Sequence, residues 1–491
     1  MRRIAILALA FVAVTLMMFF CTRETVCTPL SLPGHDLVLT PESERMLQRI
    51  IIGLETNRTQ YFMLPSTETF DLRSMDPSVR FIRRQSYWLN FELVHGRLLE
   101  QAPPYSEFYI AVPDPKFNTS SMGNEEEVFI DYLKTRLKWS DEDIARRVHF
   151  FHVPVPLLYP QDMAEVLGYD SKGRLVLGYG ESQLEPYPEC LKLLEQAFPD
   201  EFSVRMLGEG LVREGLDMEG GDLAIVWLPE GSVGLLLGRH RVLRLLEVRH
   251  SRSFIGVPVT PEDVAETRAL YQRAFYGIET IVAGEQLLYS PELVGEELFH
   301  LDMTVNVLRN GNRVTAFIPT YPDIPTDSVI RTRLGEELHR RVQHEYDEVA
   351  RQLGERGYRI ARLPFNDQPV RNPVNVGFYV DPETHQQVVL LGKYPYHFDL
   401  PDGTNPQYRL QDAFNLLYET VSVWREDPSA SNWAAVEDIF ATTWEAMDIA
   451  ADSPNPTFDE QVRVYESEGI KIVPVPIFPT GEGGLHCMVL K

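Results

Sequence analysis

One unit recurs along this chain, a helix followed by a strand, a loop and a two-stranded hairpin, and that recurrence restricts the fold more than any other feature. "PECLKLLEQAF" leads to the strand "FSVRML" and then to "DLAIVWLPEGSVGLLLG", two apolar runs about a Gly turn. "PEDVAETRALYQRAF" leads to "GIETIVAG" and to "LDMTVNVLRNGNRVTAFI", whose Asn-Gly turn is a hairpin signal. "RLGEELHRRVQHEYDEVARQLGERG" leads to "YRIARLPF" and the pair "NVGFYVD" and "QQVVLLG". An earlier copy runs from the amphipathic helix "EEEVFIDYLKTRLKW" through "VHFFHVPVPLLY" to "VLGYDSKGRLVLGYG". Copies of one supersecondary unit with little sequence identity predict a modular α/β architecture rather than one long parallel sheet.

The ends depart from the unit. Met-Arg-Arg precedes seventeen uncharged residues, Ile4 to Phe20, a basic region followed by an apolar one, so residues 1–27 are expected to be a signal peptide or an N-terminal membrane anchor. Either sends the rest outward, to an extracytoplasmic, secreted or membrane-tethered location. Cys21 sits where a lipid acceptor would, but Phe20 is bulkier than such processing prefers. Asn57 and Asn118 head glycosylation triplets. Residues 28–104 are expected to form an N-terminal helical addition and 105–491 the main domain, with a helical insertion at about 424–456. Cys190 and Cys487 alone remain in the body, too few for a disulfide framework, and Cys190 reads as a buried small apolar residue of an amphipathic helix. Neither CxxC nor HExxH occurs, so zinc is not expected. The net charge of −25 argues against nucleic acid and favours cationic ligands.

The loops between strand and hairpin carry the candidate chemistry. They hold Asp162 in "YPQDMAEV", Glu219 and Asp222 in "DMEGGDLAIV", His300 and Asp302 in "FHLDMTV", and Cys487 in "GEGGLHCMV". A thiol becomes a nucleophile when its thiolate is stabilised, and a His beside it can protonate a leaving group and then activate water. Glu219 would orient His300. In an extended strand the side chains of His300 and Asp302 would share a face. The surplus carboxylates suit a planar cation, since each accepts a bidentate fork of N–H donors from a guanidinium. His486 is expected to pack or turn the chain. Arg371, in "FNDQPVRNPVNVGFYVD", is a further candidate, for a substrate carboxylate, with Arg239 and Arg241 competing for that role.

Taken in order, "YPQDMAEVLGYDSKGRLVLG", "MEGGDLAIV", "FHLDMTVNVL" and "GGLHCMV" resemble the motifs of the guanidino-group-modifying enzymes, the pentein superfamily of arginine and agmatine deiminases, dimethylarginine hydrolases and amidinotransferases. The resemblance spans about residues 105 to 491. It implies a five-bladed α/β propeller of ββαβ modules with pseudo-fivefold symmetry and an axial site. It also implies roles: Cys487 as nucleophile, His300 as acid and then base, Glu219 as its orienting partner or a substrate ligand, Asp162 and Asp302 as guanidinium ligands, and Asn375 as a substrate-binding residue, with no metal or organic cofactor. The implied activity is deimination of arginine or an arginine derivative, free or in a peptide, to a citrulline-like product. The alternatives are an amidinotransferase and a non-catalytic arginine-binding pentein. Gln161 and Met163-Ala164 differ from the family's usual pattern around the first Asp.

Overall fold

The computed structural model describes residues 30–32, 34–54, 76–114, 124–155, 157, 160–180, 186–211, 216, 218, 220–250, 259–289, 300–320, 333–364, 372–394 and 406–478. The chain is α/β, with helices set around several small sheets. Two short strands, β1 (Leu30–Leu32) and β2 (Leu37–Leu39), form a hairpin. Then β3 (Arg49–Gly53) lies parallel to β4 (Glu107–Pro113), which lies parallel to β5 (Val148–Val153). Between β3 and β4 come α1 (Pro77–Phe91), a π turn (Glu92–Gly96) and α2 (Arg97–Gln101); α3 (Glu125–Thr135) and α4 (Asp141–Arg147) link β4 to β5.

The expected unit then follows four times. β6 (Glu165–Tyr169) and β7 (Leu175–Gly180) make a hairpin, and after α5 (Tyr187–Ala197) the strand β8 (Phe202–Leu207) joins parallel to β7. β9 (Leu223–Trp227), β10 (Val233–Leu237), α6 (His240–His250), α7 (Pro261–Ala274) and β11 (Glu279–Val282) repeat the pattern. So do β12 (Asn306–Asn310), β13 (Arg313–Thr320), α8 (Arg333–Glu355) and β14 (Arg359–Pro364). The last copy is β15 (Gly377–Val380), β16 (Gln387–Lys393), α9 (Pro406–Glu426), α10 (Ala430–Asp452), α11 (Pro456–Ser467) and β17 (Lys471–Pro476). β1 and β2 extend the sheet of β6, β7 and β8.

Local sequence explains these elements. The middle strand β10 reads VGLLL and is buried along its whole length, as expected of a strand flanked on both sides. Helix starts carry their caps: Thr260 and Asp263 form a reciprocal capping box, and Ser140, Ser429 and Asn455 each accept from a first-turn N–H. Cys190 is fully buried on α5, as its spacing predicts.

Among the described residues of the stretch expected as an N-terminal helical addition, helix runs from Pro77 to Gln101, besides the one turn at Glu42–Glu44. β3, reading RIIIG, is too short a run to declare its type by periodicity, and it is a buried parallel strand. The later helical insertion is wider than expected, beginning at Pro406. Among the described residues no helix is long and apolar enough to cross a membrane, and residues 1–27 lie outside them.

Between β2 and β3 the segment from Thr40 to Gln48 ties several sheets together. The buried Arg45 guanidinium donates to the carbonyls of Thr40, at 3.1 Å, and Val166 of β6, at 2.5 Å. The Arg45 carbonyl accepts from the Val380 N–H of β15 at 3.0 Å. Gln387 of β16 donates to the Ser43 carbonyl at 3.0 Å, and the Trp227 indole of β9 donates to Glu44 at 2.9 Å. Burial pushes the Glu44 carboxyl above its ordinary range, opposed by that hydrogen bond and by Arg309.

Candidate functional site

Three of the loops singled out by sequence pack against one another. Pro160–Met163, Gly220–Asp222 and Leu301–Met303 are each a single 3-10 turn ahead of a hairpin, before β6, β9 and β12. The two glycines of the middle turn explain its place. A Cβ on Gly220 would fall 2.1 Å from the Gln161 carbonyl oxygen and 2.5 Å from that of Ala164, so this backbone lies directly on the turn that carries Asp162. A Cβ on Gly221 would fall 2.6 Å from His300 Nδ1, so the imidazole rests on the peptide at that point. A side chain at either position would separate the loops.

Asp222 has a different job from the one its motif suggested. It is 1 % exposed, and its Oδ2 accepts from Arg241 Nε at 2.6 Å while its Oδ1 accepts from the Leu301 N–H at 3.2 Å. One carboxylate therefore joins the Gly220–Asp222 turn to the start of α6 and to the turn that follows His300. Arg241 is itself 1 % exposed, so the pair is a buried brace rather than a group presented to a ligand. Arg239 is likewise engaged, with Glu345 of α8. Both arginines are thus paired with buried carboxylates.

His300 and Asp302 do not alternate on a strand as expected. Leu301–Met303 is a 3-10 turn, and β12 begins only at Asn306. The tighter winding turns the two side chains to different neighbours. His300, 9 % exposed, lies against Gly221, whereas Asp302, 8 % exposed, lines an internal cavity shared with Glu42 and Asn306. Asp162 is half-buried on its turn.

Asn375 is 2 % exposed in the turn before β15, and its N–H bonds the Asn372 carbonyl at 3.2 Å. Asn372 fastens this turn to the His300 loop. Its Nδ2 donates to the Met303 carbonyl and, at 3.1 Å, to the Tyr346 hydroxyl, and its Oδ1 accepts from the Val374 N–H at 3.0 Å. Thus the four described turns form a continuous series, from Asp162 through Gly220–Asp222 and His300–Asp302 to Asn375. Cys487, Glu219 and Arg371, and His486 with them, lie outside the described residues.

Sequence reasoning named Arg241 only as a partner for a substrate carboxylate and missed its bracing role, and it missed the anchor Asn372 and the buried Glu42. Arg241 lies 19 residues beyond Asp222, across a hairpin, where no helical or strand spacing links the two. Asn372 had a signal, the Asn-Pro turn dipeptide with its preference for side-chain hydrogen bonds to nearby backbone. Glu42 had none. Among the described residues no group of three or more His, Cys, Asp or Glu is arranged to hold a metal ion. No protein-family model and no curated protein sequence matches the chain.

Proposed function

We propose that the chain is a guanidino-group hydrolase of the pentein type, which deiminates arginine or an arginine derivative to a ureido product and ammonia. The observation that carries this reading is the seating of Gly220 and Gly221 between the Asp162 turn and the His300 ring, which gathers three motif-bearing loops into one cluster. The four ββαβ copies, three with an acid- or His-bearing turn ahead of the hairpin and the fourth with the Asn372–Asn375 turn in that place, support a five-bladed propeller as the architecture.

In this reading Asp162 and Asp302 hold the planar guanidinium through paired N–H donors. The Cys487 thiolate sulfur bonds the guanidinium carbon. His300 protonates a terminal nitrogen, the C–N bond breaks, and ammonia leaves an amidino thioether. His300 then takes a proton from water, whose oxygen bonds the same carbon; the C–S bond breaks, the thiolate returns and the ureido product departs. Glu219 orients His300. Asp222 acts as a positioning residue, fixing the His300 loop through the Leu301 N–H. The substrate is a small guanidino cation or an arginine peptide met outside the cytoplasm, consistent with the apolar N-terminal run and the acidic chain.

The test uses the full chain in mild detergent with arginine, agmatine, dimethylarginine and an internal-arginine peptide, scoring ureido product and released ammonia or amine, with and without an acceptor amine. Turnover abolished in Cys487→Ala and His300→Ala is the expected result. Product formed only when an acceptor amine is present would replace the hydrolase by an amidinotransferase. Tight binding without turnover in either arm would leave an arginine-binding protein.

A further inference from the structure

Below the His300 loop lies an internal cavity of about 20 Å³. Its polar lining comes from three side chains far apart in sequence: Glu42 in the segment that ties the sheets, Asp302 in the loop after His300, and Asn306 at the start of β12. Leu223, Val305, Val374 and Phe378 are among the apolar remainder. All three polar residues are more than nine-tenths buried, at 8 %, 8 % and 6 % exposure respectively. The Asn306 Nδ2 has no hydrogen-bond partner among the described residues.

We propose that Glu42 and Asn306 are positioning residues for Asp302, acting through one water molecule held in the cavity that the three share. The volume suits this, since a cavity of about 10–15 Å³ admits a single water and such waters take two to four polar partners. The donor count suits it as well. The water accepts from the Asn306 N–H and donates one hydrogen to each carboxylate, so the amide gains an acceptor and both acids gain a donor. An apolar occupant would leave the Asn306 amide without an acceptor. The inference rests on the proposed function only in giving Asp302 the task of holding a guanidinium. Glu42 and Asn306 would then set the rotamer in which the Asp302 carboxylate meets it, without touching the substrate.

The experiment pairs crystal structures with kinetics on the wild type, Glu42→Gln and Asn306→Asp, substitutions that keep side-chain shape. The expected result is one ordered water within about 2.5–3.2 Å of all three groups in the wild type, and a turned Asp302 carboxylate in each variant. KM for the guanidino substrate should rise roughly fivefold with kcat nearly unchanged, the signature of lost ground-state positioning. A cavity without an ordered water, or an Asp302 that keeps its orientation in both variants, overturns the inference whatever the enzyme does. So does a parallel fall in kcat and melting temperature at constant KM, which marks a structural role. If the wild type turns over no guanidino compound, the proposed function fails, while the water and the Asp302 rotamer still decide this inference.

Discussion

Four of the sheets and the sheet of β3, β4 and β5 fill the same slot in opposite ways. In the four, the strand beside the middle one runs antiparallel and enters from a short polar turn: Pro160–Met163 before β6, Gly220–Asp222 before β9, Leu301–Met303 before β12 and the Asn372–Asn375 turn before β15. In the fifth, β3 lies beside β4 but runs parallel to it, so its C-terminal end is the one that approaches the turns. Among the described residues, 49–54, that end carries no acid. Gly53 is pressed against the Leu157 carbonyl, and its own carbonyl is held by His95 Nε2 of the π turn at 3.0 Å. The same slot holds the candidate site residues where the strand leaves a turn, and bracing contacts where the strand ends there.

The difference can be broken most sharply on the side of the polar turns. Asp222→Ala strands the Arg241 guanidinium in the interior and should cost about 3–5 kcal/mol in urea unfolding, much of it regained by adding Arg241→Met. On the bracing side the largest effect is one of pH. Burial lowers the His95 pKa from its ordinary 6.5 to about 4, the hydrogen bond to Gly53 opposing only part of the shift. Because the folded value is depressed, nothing is lost above pH 6.5. As pH falls from 6.5 toward 4 the unfolded chain takes up a proton that the folded one refuses, and stability drops by up to about 3 kcal/mol. His95→Gln should flatten that part of the pH dependence; an unchanged slope would remove His95 from the brace.

Gly221→Ala pushes the His300 ring off its seat and should lower kcat by about 10², with a much smaller change in melting temperature. Gly53→Ala is the matching probe of the fifth sheet. Its Cβ would lie 1.4 Å from the Leu157 oxygen, and the shift needed to relieve this should cost about 1–3 kcal/mol of stability. If Gly53→Ala reduces turnover as strongly as Gly221→Ala, the division between the two kinds of end fails.

What could be read beforehand follows the range of the interactions involved. Turns and alternating apolar runs are local, so the hairpins about Gly173 and Gly311 and the helices between them were legible. The paired glycines of "EGGD" announced a close approach, and the structure supplies what approaches: the Gln161 and Ala164 carbonyls on one side and His300 on the other. The β3 run offered five residues, below the length at which a helix and a buried strand differ in pattern. The 3-10 winding between His300 and Asp302 was hidden because "HLD" fits a strand start equally well. The Asp222–Arg241 pair and the cavity joining Glu42, Asp302 and Asn306 depend on tertiary placement alone, which no spacing encodes.

The segment from Thr40 to Gln48 also imposes an order on biosynthesis. Gln387 reaches the Ser43 carbonyl from 344 residues downstream, and the Arg45 carbonyl waits for the Val380 N–H. A chain made from its N-terminus exposes this segment long before those partners leave the ribosome. Its bonds to Val166 and Trp227 can form once those residues emerge, but those made by the Ser43 and Arg45 carbonyls wait for the last sheet, and closing so long a loop carries an entropy cost that local helices escape. Nascent chains stopped short of β15 should therefore be open to proteases at Thr40–Gln48, and release of the last sheet, rather than synthesis of the first, should mark the moment at which the molecule closes.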